Sequence, residues 1–89
     1  MRIDFLQSFC RVVELGSFKM AAESLNLSQP TISMQVKALE DEFHTELLHR
    51  EGHKILPTED GQLLYDHFVK ITALYEKASQ SLDLSLIHI

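Results

Sequence analysis

Two helix-start signals, Ser17 and Ser28, fall so close together that the chain between them has room for one short helix and an immediate turn. Ser17 precedes Phe18, Ala21, Ala22 and Leu25, which recur at helical spacing, and a serine hydroxyl there accepts from the unpaired amides of a first turn. Asn26-Leu27 ends that run. Ser28 then opens a second helix. Pro30 lies in its first turn, where a missing N–H costs nothing, and Ile32, Val36, Leu39 and Phe43 form an inward stripe. The positions left to face outward are Gln29, Thr31, Ser33, Met34, Gln35 and Lys37, so the first two turns expose no acid.

Two helices joined too tightly for parallel alignment, the second with a polar, uncharged leading edge, make the outline of a helix-turn-helix. A recognition helix meets base edges with short hydrogen-bonding groups and methyls, and its capped N-terminus can address a phosphate. Hairpins of small helical bundles share the outline, so geometry alone leaves both readings open.

The residues themselves go further. The stretch AAESLNLSQPTISMQVKALEDEF closely resembles the helix-turn-helix of LysR-type transcriptional regulators, in which an alanine pair, a Ser-Gln-Pro entry, a serine and a Leu-Glu pair recur at this spacing. The match continues without a gap through Leu47, Arg50, Gly52, Thr58 and Gly61, over roughly the first eighty residues. This resemblance implies a mainly α fold: a winged helix-turn-helix, with a three-helix core and a short β-hairpin wing, followed by a long linker and dimerisation helix. It also implies a sequence-specific DNA-binding domain of a bacterial regulator, acting as a dimer on inverted-repeat operator DNA, with tetramers possible in the full-length protein. In that family the inducer is sensed by a downstream effector-binding domain.

The charge balance pulls the other way. Eight Lys and Arg against 13 Asp and Glu give a net charge of −5, whereas DNA-binding domains are usually basic. The conflict is eased by where the acids fall: Glu40-Asp41-Glu42 sit at the far end of the second helix and others lie along the last helix, away from Gln29 to Gln35. The acidity predicts modest affinity per monomer and makes paired binding more necessary. The competing reading is a helical protein-interaction module whose acidic surface never meets DNA.

Along the chain, Ile3 to Leu15 reads as a first helix with Ile3, Leu6, Phe9, Cys10 and Val13 inward and Gly16 as its stop. After Phe43, Leu47-Leu48, a charged stretch around Gly52, and Ile55-Leu56-Pro57 read as two short strands of a wing. Arg50, His53 and Lys54 are its expected phosphate contacts, Arg50 foremost because a basic residue recurs there in the LysR family. Four positions depart from the family pattern. His44 replaces a helix-ending glycine, His49 an acid, Met34 an arginine and Pro57 a leucine; Met34 and the sparse charge of the wing together predict fewer phosphate contacts and a shallower salt dependence of DNA binding than in a typical relative.

Thr58 is the expected N-cap of the last helix, with Glu59 and Asp60 complementing its positive end. Leu64, Phe68, Ile71, Tyr75, Ala78 and Leu82 then alternate at spacings of four and three, an a/d seam that calls for another helix. In LysR-type regulators the corresponding helix dimerises the DNA-binding domains, and the resemblance implies that role for this seam, with Leu63 and Val69 left for contact within the chain. The seam ends at Leu84-Ser85-Leu86-Ile87-His88-Ile89, which is the in-frame translation of CTGTCTCTTATACACATC, the start of a transposase end used in preparing sequencing libraries. The natural sequence is therefore expected to stop near Asp83, giving three parts: residues 1–58 as the winged helix-turn-helix, 59–83 as the linker helix, and 84–89 as a non-native or disordered tail.

No catalytic constellation and no cofactor motif is expected. His44, His49 and His53 lie close in sequence but straddle a helix end and a wing, zinc-type spacing is missing, and Gly16, Gly52 and Gly61 form no phosphate loop. The single cysteine excludes an intrachain disulfide and suits a reducing cytoplasm. Arg2, Asp4 and Arg11 interrupt every early apolar run, so neither a signal peptide nor a membrane span is expected. The expected DNA-facing set is Ser28, Gln29, Pro30, Thr31, Ser33, Met34 and Gln35, with the glutamines as the main base readers, and Lys37, Arg50, His53 and Lys54 on the backbone.

Overall fold

Helix α1 (Ile3–Leu15) is the middle of the fold, with α2 (Phe18–Leu25), α3 (Gln29–Phe43) and the start of α4 (Glu59–Ile87) all packed against it. The structure is a computed structural model describing the backbone of residues 2–87 and the side chains of residues 2–82. Between α3 and α4 lie β1 (Leu48–Glu51) and β2 (Lys54–Pro57), an antiparallel pair in which Leu48 faces Pro57 and Glu51 faces Lys54.

Each boundary has a local cause. Gly16 ends α1 in the left-handed region at φ 68°, and its carbonyl accepts from Ile55 N at 3.1 Å, which fixes β2 to the α1–α2 joint. The Ser17 hydroxyl caps α2 by accepting from Met20 N at 3.1 Å. Asn26, at φ 55°, turns the chain out of α2, and Ser28 caps α3 by accepting from Thr31 N. His44 ends α3 at φ 56°, so a histidine holds the conformation that glycine adopts freely, at a cost of about 1–2 kcal/mol. Gly52 supplies the positive φ at the first of the two turn residues between the strands. Thr58 caps α4 from Gly61 N at 3.0 Å and donates its hydroxyl to the Glu46 carbonyl at 2.6 Å.

The core is built from Leu6, Phe9, Cys10, Val12, Ala21, Ala22, Ile32, Val36, Leu39, Leu47, Ile55 and Phe68. Phe9 and Phe68 meet edge to face at 5.8 Å between ring centroids, and Phe43 lies the same distance from Phe68. Because α1 is covered on several sides, it also buries Ser8 and Val12, which the narrower stripe read from the sequence did not include, while Ile3 and Val13 are half-buried.

The first half of the expected seam on α4 belongs to this core. Phe68 is 2% exposed and so is taken up by the core, and Leu64 is partly buried against the same cluster. Leu63 and Val69, expected to face inward, are instead exposed. The a/d spacing was read correctly as apolar, but spacing does not say which helix a stripe meets: the opening turns of α4 are taken up by α1. The large apolar residues of α4 that are exposed are Leu63, Val69, Ile71, Leu74, Tyr75 and Leu82, with Ala78 exposed among them. Nothing between residues 73 and 82 is buried, so this end of the helix stands clear of the core. At 29 residues α4 is about 44 Å long, which accounts for most of the 52 Å long dimension.

Helical backbone continues to Ile87, past the expected end at Asp83, since no proline or glycine interrupts it. The side chains of the proposed tail at 84–89 lie outside the described residues, as do His88 and Ile89 altogether.

Candidate nucleic-acid interface

The turn between α2 and α3 presents the leading edge of α3 to solvent. Ser28, Gln29, Pro30, Ser33, Met34 and Lys37 are exposed, Met34 by 53%. Thr31 is half-buried, with its hydroxyl 2.8 Å from that of Ser28, so these two oxygens form one small polar group at the helix start. Lys37 pairs with Asp41 one turn on, at 3.4 Å, an exposed contact of the kind that contributes only a few tenths of a kcal/mol. The acids therefore begin where the exposed reading edge ends.

Gln35 is the exception, and the expectation that it reads bases is corrected here. It is only 6% exposed, and its amide oxygen accepts a hydrogen bond from the buried Ser8 hydroxyl of α1. The reason is positional: three residues after Ile32 and four before Leu39, Gln35 lies on the inward stripe itself. That spacing was present in the sequence, but the polarity of glutamine argued against using it.

Beside this exposed edge a shallow groove separates α3 from the wing. Ser33, Lys37, Glu40, His49 and Arg50 line it together with apolar Phe18, Val36, Leu48 and Ile55. Arg50 thus comes to the same groove as Ser33 and Lys37, whereas His53 and Lys54 stand exposed at the hairpin tip. Glu40, read from the sequence only as part of an acidic cluster, has a specific structural role. Its Oε2 accepts from Leu47 N at 2.8 Å and more weakly from Leu48 N at 3.5 Å, tying the end of α3 to the first wing strand. Among the described residues no three His, Cys, Asp or Glu side chains come together as metal ligands, and no helix is long and apolar enough to cross a membrane.

A helix-turn-helix buttressed by a central helix and followed by a two-stranded wing defines a winged helix-turn-helix domain. The chain belongs to the LysR family: the family model for the bacterial regulatory helix-turn-helix protein, lysR family, matches residues 3–62. It is 42% identical over 78 residues to the HTH-type transcriptional regulator CysL of Bacillus subtilis, covering 88% of this chain and 26% of that protein. The chain thus spans about a quarter of the length of the curated relatives it matches. Among solved structures it resembles the BenM DNA-binding domain in complex with benA site 1 DNA, at 30% identity and a TM-score of 0.82, covering 96% of this chain and 97% of that one. It likewise resembles Vibrio fischeri DarR in complex with DNA, at 30% identity and a TM-score of 0.86, covering 98% of this chain and 30% of that one.

Proposed function

We propose that this domain binds double-stranded DNA in a sequence-dependent way, as the DNA-contacting part of a transcriptional regulator. The observation that carries the reading is the exposed, acid-free leading edge of α3, with Gln29, Pro30, Ser33 and Met34 outward on a helix whose opposite face is locked into the core. In this reading Gln29 is the principal base reader, Met34 and Pro30 give apolar contact, and the Ser28–Thr31 hydroxyl pair lies against a phosphate. Lys37, Arg50, His53 and Lys54 hold the flanking backbone. DNA complexes of the BenM domain and of DarR, both similar in fold to this chain, support the assignment.

Two copies would bind together through the outer part of α4, along Ile71, Leu74, Tyr75, Ala78 and Leu82, and would read the two halves of an inverted repeat. The acidity of the chain makes such pairing more important, since each monomer brings few cations to the phosphates. The test is a mobility shift with genomic fragments from beside the gene's own locus, at low and moderate salt. A saturable shift that survives excess random DNA is expected; no shift at either salt concentration would favour a protein-interaction module instead.

A further inference from the structure

The geometry points to Ser8 and Gln35 as a positioning pair that fixes the roll of α3 about its own axis, so that both set DNA specificity without either touching DNA. This rests on the DNA-binding reading above.

Ser8 and Gln35 are the buried polar residues among the described side chains, at 1% and 6% exposure, and they are hydrogen-bonded to each other. No buried side-chain nitrogen or oxygen among the described residues lacks a partner, so the pair is satisfied inside an otherwise apolar core. It is also the one side-chain hydrogen bond, among the described residues, that links the first half of α3 to another element; Glu40 makes the corresponding link at the far end. The other residues that α3 gives to the core are apolar: Ile32, Val36 and Leu39, with Phe43 packed against them. Apolar contact is non-directional, whereas a hydrogen bond weakens steeply with distance and angle.

That difference matters for reading DNA. At 100° per residue, Ser33 lies about 200° round the helix from Gln35, nearly on the opposite face. A roll of about 20° moves side-chain atoms some 5 Å from the axis through about 2 Å, which breaks the Ser8–Gln35 bond and displaces Ser33 and Gln29 from any base edge they meet. An apolar pair at these positions would hold α3 on the core but would leave that roll unspecified. A single buried polar contact selecting one arrangement among several of similar stability has precedent in coiled coils.

The experiment uses the full chain and a pool of randomised duplexes. The duplex enriched by the unaltered chain is then used to compare it with S8A, Q35M and S8A/Q35M, measuring the affinity for that duplex and for random DNA by fluorescence anisotropy, and the thermal midpoint by circular dichroism. Each single variant leaves one polar partner buried alone, so its midpoint is expected to fall; the double variant removes both partners, and its midpoint should recover toward that of the unaltered chain. The ratio of enriched to random affinity should fall about tenfold in S8A and stay low in the double variant, with random affinity unchanged. S8A separates positioning from contact, because it leaves Gln35 intact and alters a residue of α1. An unaltered ratio in the refolded double variant, or in S8A, would overturn the proposal while leaving the DNA reading in place. If the unaltered chain enriches no sequence, the DNA reading falls and this role falls with it.

Discussion

The carboxylate of Glu40 accepts a hydrogen bond from the backbone amide of Leu47 at 2.8 Å, so the last turns of α3 hold the chain at the point where it enters the wing. The Leu47 carbonyl in turn accepts from Thr58 N at 3.0 Å, and its side chain is fully buried. One residue thereby joins the recognition helix, the wing and the start of α4. The spacing between the α3 edge and Arg50 depends on that junction.

Replacing Glu40 with alanine removes the acceptor of the amide of Leu47, a residue with no exposed surface. A loss of about 1–3 kcal/mol is expected, read as a lower urea midpoint, with Glu40→Gln losing less because it keeps an acceptor oxygen. Equal stability of the alanine variant and the unaltered chain would contradict the role given to this carboxylate.

Gly61 tests the same junction from α4. A Cβ there would sit 1.9 Å from the Leu47 carbonyl oxygen, closer than any real contact. Helix propensity alone favours Gly61→Ala by about 1 kcal/mol, but a clash with backbone costs about 3 kcal/mol or more and should reverse the sign, for a net loss of about 2 kcal/mol. A higher thermal midpoint for the alanine variant would show that Leu47 moves freely.

The two halves of α4 should respond differently to truncation. Phe68→Ala empties a site against Phe9 and Phe43 and should cost about 3–5 kcal/mol at any protein concentration. Leu74 is 67% exposed, so Leu74→Ala should change monomer stability by no more than about 0.5 kcal/mol while weakening self-association in sedimentation equilibrium. If Leu74→Ala leaves association untouched, the outer stripe is not the pairing surface.

These contrasts also mark how far the sequence could be read. Capping residues were legible because the chemistry is local: Ser17, Ser28 and Thr58 each cap the helix they precede, and Gly16 and Gly52 take the positive φ that their turns need. The end of α1 follows from Gly16 in the same way, whereas its start at Ile3 has no capping side chain and was legible only from the apolar spacing. What stayed hidden depends on tertiary partners. Phe68 and Leu74 lie on one apolar helix, and only the presence of α1 beside the first and not the second separates core from free surface. Gln35 was hidden differently, since its polarity outweighed its inward spacing and its partner Ser8 is 27 positions away. Of the outward-facing α3 set, Gln29, Ser33, Met34 and Lys37 are exposed as read.

Alkaline pH should loosen the fold, through Cys10 and Tyr65. Burial, and then the neighbouring Glu14, push the Cys10 thiol up to about 12. The Tyr65 hydroxyl is likewise pushed up to about 12, first by lost hydration and then by Glu14, to which it donates at 2.8 Å. In the unfolded chain these groups release protons near about pH 8.5 and 10. Between those values and 12 the folded state holds more protons, so stability declines as pH rises. Urea midpoints should be level to about pH 8 and fall beyond it; a midpoint that climbs between pH 9 and 11 would contradict this. Consistently, iodoacetamide should leave Cys10 unmodified at neutral pH until the chain is unfolded.

The exposed edge of α3 carries the whole functional account, and Gln29 is its most direct probe. Affinities of the unaltered chain and Gln29→Ala should be measured side by side at one salt concentration, on a duplex enriched from a random pool and on random DNA. The account predicts a loss of about 1–3 kcal/mol on the enriched duplex and almost none on random DNA; equal losses on both, or none on either, would contradict it.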